Sequence, residues 1–254
     1  MSIGTDMQPK RAQTGALAWY RLGWQWFTTN PMTWVLLIVA YFAILMALQL
    51  LPVFGSLIGA VLWPGLSAGL LYASKKSSEG TVIRVTDLFS ALLYSNNRSG
   101  LLNLGMISLA VALVSGLAIY SIGGEELMSA LNQSNPSNMS DESIALMEAQ
   151  LPMLLSIMLV ISAITAVFFM YAVPLVAFKG VPAFAAIKAS ISTSLINFIP
   201  LWLFGSLYLI FAMLASLPMM LGFLILMPVT ICAWYASYLD IFGQDTETDI
   251  TTIV

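Results

Sequence analysis

The chain alternates long apolar runs with short polar connections. The runs cover residues 31–53, 54–74, 100–122, 151–178, 199–217 and 219–239, and each is close to the roughly 20 residues that a helix needs to cross the hydrocarbon core. Lipid supplies no partner for a backbone amide, so a spanning segment must be a helix or a strand of a closed barrel. Barrel strands alternate apolar and polar positions over about ten residues, whereas these runs are apolar in every register. The pattern predicts an all-α polytopic membrane protein with six transmembrane helices arranged as three hairpins, residues 1–254 forming a single integral membrane domain.

A different periodicity precedes the hairpins. In residues 15–28 (GALAWYRLGWQWFT), Leu17, Tyr20, Trp24 and Phe27 follow one side of a helix, and Arg21, Gln25 and Thr28 mark a polar side. Trp and Tyr suit the headgroup level, which favours a helix lying along the inner leaflet before the chain turns inward near Asn30 and Pro31, with a packing helix between spans as the alternative. After Pro182, Phe184, Ile187, Ile191 and Leu195 form one stripe and Lys188 and Ser192 another, predicting a second interfacial helix. Residues 81–97 predict a third, with Leu88, Phe89 and Leu92 apolar and Thr86 as its cap. The first and last of these regions align at an offset of 167 residues, pairing Ala16 with Ala183, Arg21 with Lys188, Asn30 with Asn197, Tyr41 with Tyr208 and Met46 with Met213. Pro52 then matches Pro218 with a one-residue shift. This suggests a parallel repeat of 15–74 and 182–241, related by an axis along the membrane normal.

Charge orients the spans. Hydrophobic residues make up 59% of the chain and charged residues only 8%, against about a quarter in a soluble protein. The nine basic residues are Lys10, Arg11, Arg21, Lys75, Lys76, Arg84, Arg98, Lys179 and Lys188, and all fall before the first span or in alternate connections. The positive-inside rule makes that side cytoplasmic, with both termini on it. The opposite side receives the external loop 123–150, which carries Glu125, Glu126, Asp141, Glu142 and Glu148 and no basic residue. Its NQSNPSNMSDES stretch, with Pro136, reads as mobile, and Asn132 and Asn138 fit short glycosylation patterns that carry no weight in a bacterial protein. The polar tail 1–14 leads into no cleavable apolar segment, so the first span is expected to act as an uncleaved anchor; residues 240–254 form an acidic tail.

Candidate chemistry is sparse. The chain has no histidine and one cysteine, Cys232, which argues against His-based acid–base catalysis, His/Cys zinc sites and intramolecular disulfides. Cys232 reads as a packing residue, and Asp240, the acidic residue nearest to a span interior, as a solvated helix terminus. There is no phosphate loop, no nucleophile elbow and no concentrated basic surface for nucleic acid. No catalytic, cofactor-binding or metal-binding residue is therefore expected. Packing chemistry is plentiful: Gly55 and Gly59, Gly65 and Gly69, and Ser108, Ala112 and Gly116 stand four apart, a spacing that seats neighbouring helices within a subunit or in a homo-oligomer. Pro64, Pro174 and Pro228 bend spans, and Gln49, Asn103, Ser156, Ser162 and Thr165 fit either a neutral polar ligand or interhelical hydrogen bonds.

The segment Pro174-Leu175-Val176-Ala177-Phe178-Lys179-Gly180, followed by Ala183, Ala186, Ile187, Ser190 and Asn197, together with Gly23-Trp24-Gln25-Trp26-Phe27 and Asn30-Pro31, resembles an uncharacterised family of bacterial six-span inner-membrane proteins. That family is similar to the membrane domain attached to some glycerophosphodiester phosphodiesterases. The resemblance implies the bacterial inner membrane and six spans, and it carries over no catalytic residue, because the phosphodiesterase chemistry belongs to a separate soluble domain. The expected role is non-enzymatic: support of envelope function or of a partner complex, in contact with the lipid bilayer and with a protein partner or further copies of itself. The alternative is a transporter or channel for a small neutral or amphipathic solute.

Overall fold

The computed structural model describes residues 10–51, 54–93, 95–132 and 141–243. Among them the regular elements are all helical: α1 Ala16–Thr29, α2 Pro31–Gln49, α3 Phe54–Ser78, a 3-10 turn Val85–Phe89 running into α4 Ser90–Leu93, α5 Arg98–Asn132, α6 Asp141–Phe169, α7 Ala172–Lys179, α8 Ala183–Ile196, α9 Phe198–Ser216 and α10 Phe223–Phe242. Six helical segments are long and apolar enough to cross a membrane, at Pro31–Gln49, Phe54–Ser78, Arg98–Ser121, Leu151–Lys179, Phe198–Ser216 and Phe223–Phe242. Helix continues beyond the apolar runs into 123–132 and 141–150, so the segment read as a loop is helical at both of its ends. Residues 1–9 of the polar tail, Pro52, the stretch 133–140 with Pro136 and Asn138, and residues 244–254 of the acidic tail lie outside the described residues.

The spans form two tiers. In α3 and α10 about half of the most apolar window is buried inside the protein, against 17% or less in the other four spans. The inner tier consists of α3, α10 and α7, the last being the end of the fourth span. Its members α3, α7 and α10 meet through aromatic rings, Phe178 lying against Tyr72, Tyr235 and Tyr238 with centroids 4.9–5.6 Å apart. The outer helices α2, α5, α6 and α9 keep large apolar side chains exposed along most of their length, the expected surface for a helix in lipid.

Each surface segment packs on the second helix of the hairpin before it: the 3-10 turn and α4 on α3, and α8 on α6 and α7. Helix α1 packs along α10, so the first surface helix closes on the last span. Contacts at Asp240 early in α1 and at Val229 and Ala233 midway along it make α1 and α10 antiparallel. The close approach needs Gly23, where a Cβ would come within 2.5 Å of the Val229 carbonyl oxygen.

This packing corrects the faces expected of the three segments. In α1 the buried residues are Ala16, Trp19, Tyr20, Gly23 and Phe27, whereas Leu17 and Trp24 point outward. The predicted stripe is thus divided, and the helix is a packing element of the bundle. In α8 the expected apolar stripe is divided as well: Ile187 is buried with Ala186, Ser190, Thr193 and Ser194, while Phe184 and Leu195 are exposed. Lys188 and Ser192 are exposed, Lys188 Nζ lying 5.4 Å from the Phe184 ring centroid. Small polar residues face inward because they find partners inside the bundle. The third helix is much shorter than 81–97, and Thr86 does not cap it. Asp87 does, accepting the Arg84 backbone N–H at 2.8 Å and the Lys76 ammonium at 2.7 Å.

Candidate functional site: two crevices beside the fifth span

Helix α9 is among the least buried spans, with Ala215 its only buried side chain. It stands off the bundle and leaves an apolar crevice on each flank. The first, about 440 Å³, lies between α3, α6, α9 and α10 and is walled by Trp63, Ile161, Phe169, Phe204, Ile231 and Trp234, with Ser162, Thr165 and Thr230 as its polar side chains. The second, about 570 Å³, lies between α1, α9 and α10 and is walled by Tyr20, Trp24, Phe211, Leu214, Ile225 and Val229, with Arg21 as its one charged residue.

The back of the first crevice is a break in the fourth span. Pro174 has no N–H, so the carbonyl four residues earlier, Met170, loses its helical donor. The chain turns out of helix at Met170 and Tyr171 and resumes as α7. Three of the backbone groups freed there have substitutes. The Trp234 indole N–H donates to the Met170 carbonyl at 2.5 Å. Ser190 of α8 accepts the Tyr171 N–H at 3.1 Å and donates to the Val167 carbonyl at 2.7 Å. One hydroxyl thus bridges the donor and acceptor of a missing helical bond, which explains why α8 presents small polar residues inward.

Tyr20 separates the two crevices. Its ring stacks on Phe204 at 4.9 Å and meets Phe211 edge-on at 5.4 Å, and its hydroxyl donates to the Phe204 carbonyl at 3.4 Å. Burial pushes its phenol up to about 12, against the opposing pull of the Thr230 hydroxyl, so it serves as a neutral donor at physiological pH.

The polar residues singled out in the sequence do not converge. Ser162 and Thr165 line the first crevice, and Thr165 spends its hydroxyl on the Ile161 carbonyl at 2.8 Å. Gln49 lies with Ser56 and Ser108 in a separate recess between α2, α3 and α5. Asn103 and Ser156 are on exposed faces, Ser156 bonded back to the Pro152 carbonyl. Cys232 is buried 3.7 Å from the Ser74 hydroxyl. Asp240 is a clasp for the chain's beginning, accepting from the backbone N–H groups of Gln13 and Thr14, the Thr14 hydroxyl and the Trp19 indole at 2.9–3.2 Å. Asn197 completes the clasp, accepting the Ala12 N–H at 2.7 Å and donating to the Lys10 carbonyl at 3.0 Å. The small-residue stripe of α3 is intramolecular: a Cβ on Gly69 would come within 2.0 Å of the Leu88 carbonyl oxygen, and one on Gly65 within 2.2 Å of Leu92. Gly105 makes the close approach of α5 to α3, while Gly116 has open space around it.

Trp234 and Tyr171 were not distinguished in the sequence and Ser190 entered only as part of the family resemblance, although one signal points to their neighbourhood. Tyr72-Ala73-Ser74 in α3 recurs as Tyr235-Ala236-Ser237 in α10, and these two helices form the inner tier with α7.

Over 252 aligned residues the chain is 26% identical to a "probable inner membrane protein" of Burkholderia thailandensis, the match covering 91% of this chain and 92% of that protein. No protein-family model matches the chain, and no solved structure matches it. With six apolar helices in the fold and a relative of this kind along nearly the whole chain, this is a multi-pass inner-membrane protein.

Proposed function

We propose that this chain is a non-enzymatic inner-membrane protein that supports the envelope by holding lipid or a partner along its flank, with both termini in the cytoplasm. The observation that carries the reading is the character of the two crevices beside α9: both open sideways and both are walled by apolar and aromatic side chains. Such surfaces receive acyl chains or a neighbouring helix. Asp240 and Asn197 tie residues 10–14 to the ends of α8 and α10, which supports a shared face for these two regions, and the placement of the basic residues supports a cytoplasmic location for that face.

The transporter reading draws on the broken fourth span, since transporters often bind solute where a helix unwinds. A solute site of that kind offers free backbone groups. Here Ser190 and Trp234 occupy three of them, and this favours a static bundle. Purification from native membranes in a gentle detergent tests the proposal, with lipid and protein composition read by mass spectrometry. Reproducible retention of a lipid or a protein partner is the expected result. A bare monomer, together with solute flux in reconstituted liposomes, would reject it in favour of transport.

A further inference from the structure

Resting on that reading, we infer that the crevice between α1, α9 and α10 is a site for one anionic phospholipid, its acyl chain lying along Phe211, Ile225 and Leu226 and its phosphate on Arg21. The crevice holds about 570 Å³, a volume in the range of small-molecule sites. Its walls are apolar, which selects a hydrocarbon chain; its one charged residue is a cation, which selects a negative headgroup. The ion pairs among the described residues are Lys75–Glu79 and Lys76–Asp87, so among those residues Arg21 pairs with no carboxylate. The guanidinium fork suits two phosphate oxygens at once.

Direction also fits. Long side chains on a helix lean toward its N-terminus, so Arg21 leans toward the end of α1 held by Asp240, where Lys10 and Lys179 also gather. The tail would then run from Arg21 toward Ala215 and Gly222, at the far end of the α9–α10 hairpin. Trp24, half exposed beside Arg21, supplies the amphipathic ring usual at headgroup depth.

Native mass spectrometry of the full chain, titrated with dioleoyl phosphatidylglycerol and with dioleoyl phosphatidylcholine, tests the site. Phosphatidylglycerol is expected to bind one per chain and about tenfold more tightly, the size of one charge-assisted contact. Arg21→Gln should weaken phosphatidylglycerol more than phosphatidylcholine, whose choline offsets its phosphate, and so remove that preference, whereas Arg21→Lys should keep part of it. Ile225→Trp, which fills the crevice, should weaken both lipids. Lys188→Gln removes an exposed cation elsewhere and should change nothing. Equal binding of the two lipids by the unmodified chain, no effect of Arg21→Gln, or an equal loss with Lys188→Gln would overturn the site. In any of these cases, lipid or partner retained on purification from native membranes would still uphold the broader reading.

Discussion

Proline 174 makes a demand that a tryptophan and a serine from other helices meet. A carbonyl left without a donor inside a bundle costs about 1–3 kcal/mol, and Trp234 removes that cost at Met170. The two residues should therefore be coupled. Trp234→Phe is expected to lower the thermal unfolding midpoint in the natural chain but much less in Pro174→Ala, where residue 174 regains its N–H. A double-mutant cycle should return about 1 kcal/mol or more of interaction energy, and additive effects would refute the assignment. Tyr20 offers a second check. Its phenol titrates near 12 when folded and near 10 when unfolded, so its contribution is complete below pH 10 and is lost as pH rises toward 12. Midpoints measured from pH 9 to 12 should fall more steeply for the natural chain than for Tyr20→Phe. Pro174 was legible in the sequence as a bend, but its remedy was not. Trp234 is 60 residues away, and only tertiary packing brings an indole to that carbonyl.

Whether glycine marks a contact depends on which face of an element it occupies. Gly23 and Gly116 look equivalent in sequence, each within an apolar helix, yet a Cβ at Gly23 would collide with the backbone of α10 and one at Gly116 would meet nothing. Gly23→Ala should therefore separate α1 from α10 and cost about 1–3 kcal/mol, the range for overpacking. Gly116→Ala should be neutral or stabilising by up to about 1 kcal/mol, from helix propensity. Thermal unfolding of both variants in the same detergent decides, and equal effects would contradict the close approach of α1 to α10. Spans were readable because length and hydropathy act locally. The faces of α1 and α8 were not, because periodicity shows that a helix has two sides and leaves open whether the apolar one meets protein or lipid. In α8 Phe184 and Leu195 are exposed together with Lys188 and Ser192, while Ser190 and Thr193 are buried beside Ala186 and Ile187, so neither face is purely apolar. The helix bounds show a further regularity: Ala16–Thr29 and Ala183–Ile196, then Pro31–Gln49 and Phe198–Ser216, keep the offset of 167 residues seen in the sequence. Their surroundings differ, since α1 packs on α10 and α8 on α6 and α7.

A bundle of three hairpins whose first surface helix closes on its last span makes the two ends of the chain a single structural unit. The Asp240 carboxylate holds Gln13, Thr14 and Trp19, so residues more than 220 positions apart must lie on one side of the membrane. This constraint is independent of charge and requires an even number of crossings between them. The proposed cytoplasmic side rests on charge, since Lys75, Lys76 and Lys188 belong to connections expected to return to that same face. The combination can be tested with single cysteines in a Cys232→Ser background, because the native thiol is buried. A membrane-impermeant maleimide applied to spheroplasts should label Leu217→Cys, in the exposed turn after α9, and should spare Glu79→Cys and Lys188→Cys. Inverted vesicles should give the opposite pattern. Labelling of Glu79→Cys and Lys188→Cys on opposite sides would break the three-hairpin arrangement. Labelling of both from outside would preserve the bundle and reverse it in the membrane, which would also move Arg21 and the proposed lipid site to the outer leaflet.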